Sequence, residues 1–284
     1  MKKYDAKPLP PLDPNMDASK NHYWSYQGLD ALLACKKPLT ASKDEDLFIA
    51  VHQICEIAFH QIIVDLDRTL DALKTALAAP DLPAGAFDEA VYFLDRPIKL
   101  WDTVNRTMPI LGDMRAFAEF RTSIGPTSGF QSFQFRKIEI MAGVAGAYWN
   151  GGTADAGGKV HVAESEFDRR YGADICGAFD RYGAHSLRHY FEALLARAPA
   201  GTRAERVRWL DAHAAAAPLM ERLRLYEARQ ATFHQAHLGL AVRQLSIVGV
   251  EYGTGGTSFK DYLAKYNREI APLFPGLATH AAAE

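Results

Sequence analysis

Between Asp44 and about Leu77 the chain places Leu47, Phe48, Val51, Ile54, Ile57, Ala58, Ile62, Leu66, Leu70 and Leu73 at intervals of three and four residues. That spacing keeps them on one side of a long helix. Ser42 or Asp44 is placed to cap it, and Asp44, Glu45 and Asp46 suit its positive first turn. Ala79-Pro80 and Asp81-Leu82-Pro83 end it. An apolar stripe of this length must be buried along its whole run, and other long helices offer the matching surface.

The rest of the chain supplies such partners. Helical periodicity recurs over Phe87 to about Met108, with Pro97 starting or kinking part of it, and over Phe130–Met141, Glu164–Ala196, Thr202–Ala215 and Leu219–Val250. Shorter helices are expected at Leu29–Lys36, Phe117–Ser123 and Ser258–Tyr266. The glycine-dense run Gly143–Gly158 reads as a surface loop or lid. With no set of alternating strands and no repeat, the expected fold class is all-α, a bundle of long helices with its site between facing helices. A Pro-rich N-terminal arm (residues 1–20), one helical domain (21–270) and a C-terminal tail (271–284) are the expected divisions.

Composition narrows the partners. Of 284 residues, 32 are Lys or Arg and 34 are Asp or Glu, so the near balance argues against nucleic acid or an anionic membrane. No uninterrupted apolar run approaches the roughly 20 residues of a membrane span. The start, MKKYDAKPLPPLDPN, lacks the apolar core of a secretory signal. Cys35, Cys55 and Cys176 are scattered, as befits free thiols in a reducing cytoplasm rather than a disulfide framework or a zinc site.

Chemistry-bearing residues concentrate in Phe233–Ser258, which carries His234 and His237 and ends in Gly253-Thr254-Gly255-Gly256-Thr257-Ser258. A neutral imidazole on a helix can ligate haem iron, and His237 is the first candidate, with His234 one turn earlier as the alternative. Either can equally be a core histidine satisfying its own hydrogen bonds. His52, with Glu56 and His60 at i, i+4 and i+8, can orient a substrate or exchange a proton near neutral pH, or belong to a polar seam. The set His52, Glu56, His60, Glu227, His234 and His237 also admits a non-haem di-metal reading, although Glu-x-x-His does not repeat on two helices. The glycine turn lacks the Gly-Lys-[Ser/Thr] of a phosphate loop, but Thr254 and Thr257 put hydroxyls on a backbone that can approach a ligand closely. Arg121, between aromatic residues, can hold a carboxylate through two parallel hydrogen bonds or serve in an ordinary ion pair.

Four segments together are similar to one family. They are Tyr23-x-x-Tyr26-x-x-Leu29-Asp30-x-Leu32-Leu33, Leu47-Phe48-Ile49-x-x-His52-Gln53-x-x-Glu56, Phe120-Arg121-x-x-x-Gly125-Pro126-x-Ser128-Gly129-Phe130-Gln131-Ser132-x-Gln134-x-Arg136, and Gly253 to Ser258. In this order they resemble the tryptophan 2,3-dioxygenases, within the histidine-ligated haem-dependent aromatic oxygenases, from about Tyr23 to Tyr262. The resemblance implies a helical haem pocket, haem b that is ferrous when active, O2 as co-substrate and an aromatic amino acid as substrate. It implies dioxygenation of L-tryptophan to N-formylkynurenine, the entry to tryptophan catabolism by the kynurenine pathway. His237 matches the axial haem ligand, counted from Arg243 in a His-x5-Arg pattern, and His52 the distal histidine that meets the indole nitrogen. Arg121 matches the grip on the substrate carboxylate and Thr254 the contact to its ammonium. Phe48 would wall the ring and Ser128 and Gly129 would lie beside the haem. Tyr23 and Tyr26 would reach a neighbouring pocket in a homotetramer with exchanged N-terminal segments.

The chain departs from the family pattern in four places. Between Arg243 and Gly253 it carries about three extra residues, nearly one helical turn. Ala236 stands where an arginine is usual, and Ile57-Ala58-Phe59 replaces a Leu-Trp segment. Phe117 occupies the position of a pocket tyrosine. These changes leave open two other expectations: monooxygenation or ring hydroxylation of a substituted tryptophan or tyrosine in secondary metabolism, and a haem-binding sensor without catalysis.

Overall fold

The computed structural model describes residues 23–121, 123, 132–144, 153–154, 160–161, 166–248 and 272–277. Its contacts divide the chain into two units, residues 1–38 and 39–284. In the first, α1 (Tyr23–Tyr26) and α2 (Leu29–Ala34) join at Gly28, whose φ of 62° suits a residue without a Cβ. Tyr23 and Tyr26 are 71% and 78% exposed there.

The second unit is built on α3 (Glu45–Ala78), 34 residues and so about 50 Å long. Asp44 occupies its N-cap position but makes no side-chain cap, contrary to expectation. The buried Glu45 instead folds the entry back, accepting the N–H groups of Leu39 and Thr40 and the Thr40 hydroxyl. At the other end the Arg197 guanidinium donates to the carbonyls of Leu77, Ala79 and Pro80, three groups a helix terminus would otherwise leave unpaired.

Against α3 packs α4 (Asp88–Thr107), which runs unbroken through the buried Pro97. The fully buried Asp65 joins the two, taking Arg96 at 3.1 Å, Arg68 at 3.0 Å and Gln61 at 2.8 Å, so its charge is compensated on every side. A 3-10 turn over Met108–Asp113 leads to the short α5 (Phe117–Arg121). Then α6 (Phe133–Ala142) crosses α3, its N-terminus capped by Ser132. Its C-cap, Gly143, has φ 103°, and a Cβ there would collide with Arg188.

The expected helix over Glu164–Ala196 is two helices, α7 (Glu166–Tyr182) and α8 (Leu187–Leu195). Gly183 follows the first, and the buried Ser186 starts the second by accepting from the His189 N–H; a serine cap inside a periodic stretch restarts the helix. α9 (Arg203–Ala212) opens with a capping box of Thr202 and Glu205. The last helix among the described residues, α10 (Ala217–Val248), lies on α4 and the 3-10 turn, tied by Arg222 to Asp95, Arg229 to Asp102 and Asn105 to the Arg229 carbonyl; the expected helix over Ser258–Tyr266 lies outside the described residues. Part of the expected tail is anchored: Phe274 and Leu277 are fully buried, and Glu227 accepts the Phe274 N–H.

The fold is all-α, as expected. One addition is an antiparallel pair of two-residue strands, β1 (Thr153–Ala154) and β2 (Val160–His161), in and just after the expected lid. By length and composition α3 would also qualify as a membrane span, contrary to the expectation that no stretch of the chain does. Its stripe Ile62, Leu66, Leu70 and Leu73 is instead covered by the bundle itself.

Candidate functional site

Asp44, Phe48 and His52 follow one another at i, i+4 and i+8 on the first turns of α3. The Phe48 N–H donates to the Asp44 carbonyl, and the Phe48 carbonyl lies 2.7 Å from His52 Nδ1. A carbonyl only accepts, so Nδ1 carries the proton and Nε2 of the neutral ring is left as an acceptor. Burial holds the His52 pKa below its ordinary value, while the Phe48 carbonyl and Glu56 pull the other way. The ring of Phe48 sits 4.1 Å from that of His52, 5.4 Å from Phe120 and 6.1 Å from Phe117. Phe117 and Phe120 meet edge to face at 5.4 Å, so α5 and α3 together raise an aromatic wall beside His52. Arg121 closes the same short helix, one turn beyond Phe117.

His237 comes to this place from α10. Burial, His234, His52 and Arg136 together push its pKa down to about 4, so the imidazole is neutral throughout the physiological range. The two helices meet beside it, where Phe59 of α3 packs edge to face on Phe233 of α10 at 5.8 Å, and His52 is among the groups whose charge would act on His237. Both are only half-buried by area even though burial dominates their ionisation. Side chains that line a recess inside the molecule combine those two properties. Behind His237, Phe233 stacks parallel at 5.6 Å, backed by Phe59, Trp101 and Phe135.

His234 is placed differently. Its Nε2 lies 3.7 Å from Glu139, a buried carboxylate that also pairs with the buried Arg136 at 2.9 Å. Of the two histidines on this helix, His234 is thus engaged with α6, whereas His237 is the one coupled to His52.

The wider histidine and carboxylate set separates. Gln134 bridges His60 and Glu56, its amide oxygen 3.1 Å from His60 Nδ1 and its amide nitrogen donating to Glu56 at 2.8 Å. Glu227 is committed to Phe274. Among the described residues no three His, Cys, Asp or Glu side chains gather as a metal-holding group. Of the expected site residues, Phe48, His52, Phe117, Arg121 and His237 fall on the elements around the recess. Tyr23 and Tyr26 are exposed in the first unit, and Ser128, Gly129 and Thr254 lie outside the described residues. The helix bearing His237 continues past Arg243 to Val248, taking up part of the lengthened segment before Gly253.

Sequence reasoning missed three contributors. Phe233 was visible only as one apolar residue, Phe120 only as part of a motif, and Asp44 only as a helix cap. Two aromatic residues spaced four apart from a histidine, Phe48 before His52 and Phe233 before His237, were the available signal.

The residues around the recess fit a haem: a neutral nitrogen donor, His237, on an apolar aromatic backing, with a second imidazole, His52, on the neighbouring helix. Comparison with known proteins points the same way. A family model described as tryptophan 2,3-dioxygenase matches residues 13–151. The tryptophan 2,3-dioxygenase of Ruegeria pomeroyi is 30% identical over 291 residues, covering 93% of this chain and 96% of that relative. Those of Anaeromyxobacter dehalogenans and Bacillus anthracis are 35% and 33% identical over 133 and 123 residues. These shorter matches span 47% and 41% of the two relatives, so similarity there is concentrated in about half of each.

Proposed function

Because the chain belongs to the tryptophan 2,3-dioxygenase family, we propose that it is a haem-dependent enzyme that inserts both atoms of O2 into the indole ring of L-tryptophan or a close relative, giving N-formylkynurenine. The observation that carries the reading is a half-buried histidine on each of two helices that meet through Phe59 and Phe233: His52 against Phe48 on α3, and His237 stacked on Phe233 on α10. Bound ferrous haem b would supply the O2 chemistry that no side chain provides.

His237 would hold the iron, since burial keeps its ring free of a competing proton at neutral pH. His52, protonated on Nδ1 by its bond to the Phe48 carbonyl, would accept the indole N–H through Nε2. It then orients the ring rather than removing a proton in an obligatory step. Arg121 would pair with the substrate carboxylate and Thr254 with the ammonium, reading both charges of an amino acid. Phe48 and Phe117 would wall the ring, with Ser128 and Gly129 beside the haem. Holding the reacting atoms in one geometry is where much of the rate gain would arise.

The exposed Tyr23 and Tyr26 support a homotetramer with exchanged N-terminal segments, since aromatic side chains so open to water suit burial against another copy. The cytoplasm is the proposed compartment, in keeping with free cysteines at Cys35, Cys55 and Cys176. No nucleic-acid or membrane partner is proposed. A second reading, monooxygenation of a substituted tryptophan or of tyrosine, is favoured by the wall of Phe48, Phe117 and Phe120, which offers a substrate no hydroxyl.

Reconstitution with haem tests the proposal. A Soret band that shifts when L-tryptophan is added to the ferrous protein is expected. Protein that takes up no haem, or takes up iron without a Soret band, would overturn it.

A further inference from the structure

We propose that Asp44 is a positioning residue that sets the distance between the carboxylate-reading Arg121 and the ring-reading His52. The inference rests on the functional reading above and extends it to a residue outside the recess.

Asp44 belongs to two elements at once. Its carbonyl accepts the Phe48 N–H at 2.9 Å, so its backbone is the first turn of the helix that carries Phe48 and His52. Its carboxylate turns away from that helix. One oxygen, Oδ2, accepts the backbone N–H groups of both Arg115 and Ala116, each at 2.7 Å. These amides immediately precede α5, where helix geometry leaves N–H groups without an internal partner. The result is a two-point, charge-assisted brace from the root of α3 to the root of α5.

What the brace holds in register is the pocket. α5 is only five residues long, with Phe120 as its buried anchor, so the placement of its ends depends on contacts outside the helix itself. Phe117 and Phe120 meet Phe48 one turn above Asp44, and Arg121 ends the same helix. With the start of α5 fixed to Asp44, Arg121 and His52 are both measured from one residue. A substrate that must reach both at once, through its carboxylate and its indole N–H, is sensitive to that separation.

The chemistry separates this role from mere stabilisation. Arg115 is exposed and Ala116 half-buried, so water can replace the lost acceptor. An Asp44→Ala protein therefore keeps its fold while α5 loses its register. Binding of a substrate that uses both ends should suffer, while a substrate with no carboxylate should not. An error of about 1 Å in such a site can cost up to about a hundredfold.

The test compares L-tryptophan with tryptamine, which lacks the carboxylate, as ligands of the haem-reconstituted protein. Asp44→Ala is expected to raise the KM for L-tryptophan about tenfold or more. It should change kcat less, leave tryptamine affinity and the Soret band as they were, and be partly rescued by Asp44→Asn, which keeps one acceptor oxygen. In the Arg121→Ala background the same change should add little, because Asp44 acts through Arg121. Unchanged preference for L-tryptophan over tryptamine in Asp44→Ala, or full additivity with Arg121→Ala, overturns the proposal. Should Asp44→Ala fail to fold, Asp44→Gly, which also removes the acceptor and suits a helix N-cap, carries the decision, and unchanged preference in it has the same meaning. Failure of the functional reading looks different: the unsubstituted protein would itself not distinguish the two ligands.

Discussion

The two halves of α3 have the same periodicity and different fates. From Ile62 onward the helix is core: Ile62, Leu66 and Leu70 are fully buried, Leu73 nearly so, and the buried Asp65 is satisfied by three neighbours. Each such aliphatic side chain contributes about 1.5–3 kcal/mol. Before Ile62 the same helix carries Phe48, Ile49, His52 and Gln53 half-buried, with Ile54 and Ile57 46% and 53% exposed. The first half buries Val51, Cys55, Ala58 and Phe59 as the second buries its leucines, but its neighbouring face, with Phe48, Ile49, His52 and Gln53, is left half-buried around an imidazole. A helix face that its own protein covers only in part is where a ligand finds room.

Substitutions on either side of this divide should separate cleanly. The largest effect is expected at the recess: His237→Ala should abolish the Soret band, whereas His234→Ala, whose ring is engaged with Glu139, should retain it. The reverse result would move the iron ligand to His234. In the core half, Leu70→Ala should destabilise the protein by about 3 kcal/mol, within the range for buried leucines. Denaturant titration measures this, and the surviving folded fraction should bind haem normally. Loss of haem affinity in that fraction would mean that the halves are coupled.

Arg121→Ala comes next. Losing a charge-assisted carboxylate contact of about 2 kcal/mol should raise the KM for L-tryptophan about thirtyfold. Unaltered kinetics would place the carboxylate elsewhere. The smallest effect concerns pH. Because burial depresses the folded pKa of His52 below 6.5, its neutral form persists at and above that pH, and its stabilising contribution is lost only as pH falls below it. The kcat/KM profile should accordingly stay level from pH 8 to 6.5. An inflection at or above 6.5 that vanishes in His52→Leu would contradict the neutral, Nδ1-protonated ring.

The sequence made the long helices legible because their stripes are continuous, and α3 begins and ends within a residue of its expected bounds. It concealed the break at Gly183–Ser186, since a serine cap between two periodic runs preserves the apolar pattern on either side. His52 and His237 could be named from spacing and resemblance. Their approach could not, because it depends on how α10 crosses the bundle. Nor could Asp44: an acidic residue at a helix start reads as a cap, and only tertiary contact shows its carboxylate given to a different helix.

The central claim is that the half-buried Phe48–His52 face of α3 and the His237 face of α10 together make a site for tryptophan dioxygenation. The most direct measurement is the mass of the product formed from L-tryptophan by the ferrous, haem-loaded protein under isotopically labelled O2. The account predicts N-formylkynurenine carrying two labelled oxygen atoms. A product carrying one labelled atom, or unchanged tryptophan, would contradict it.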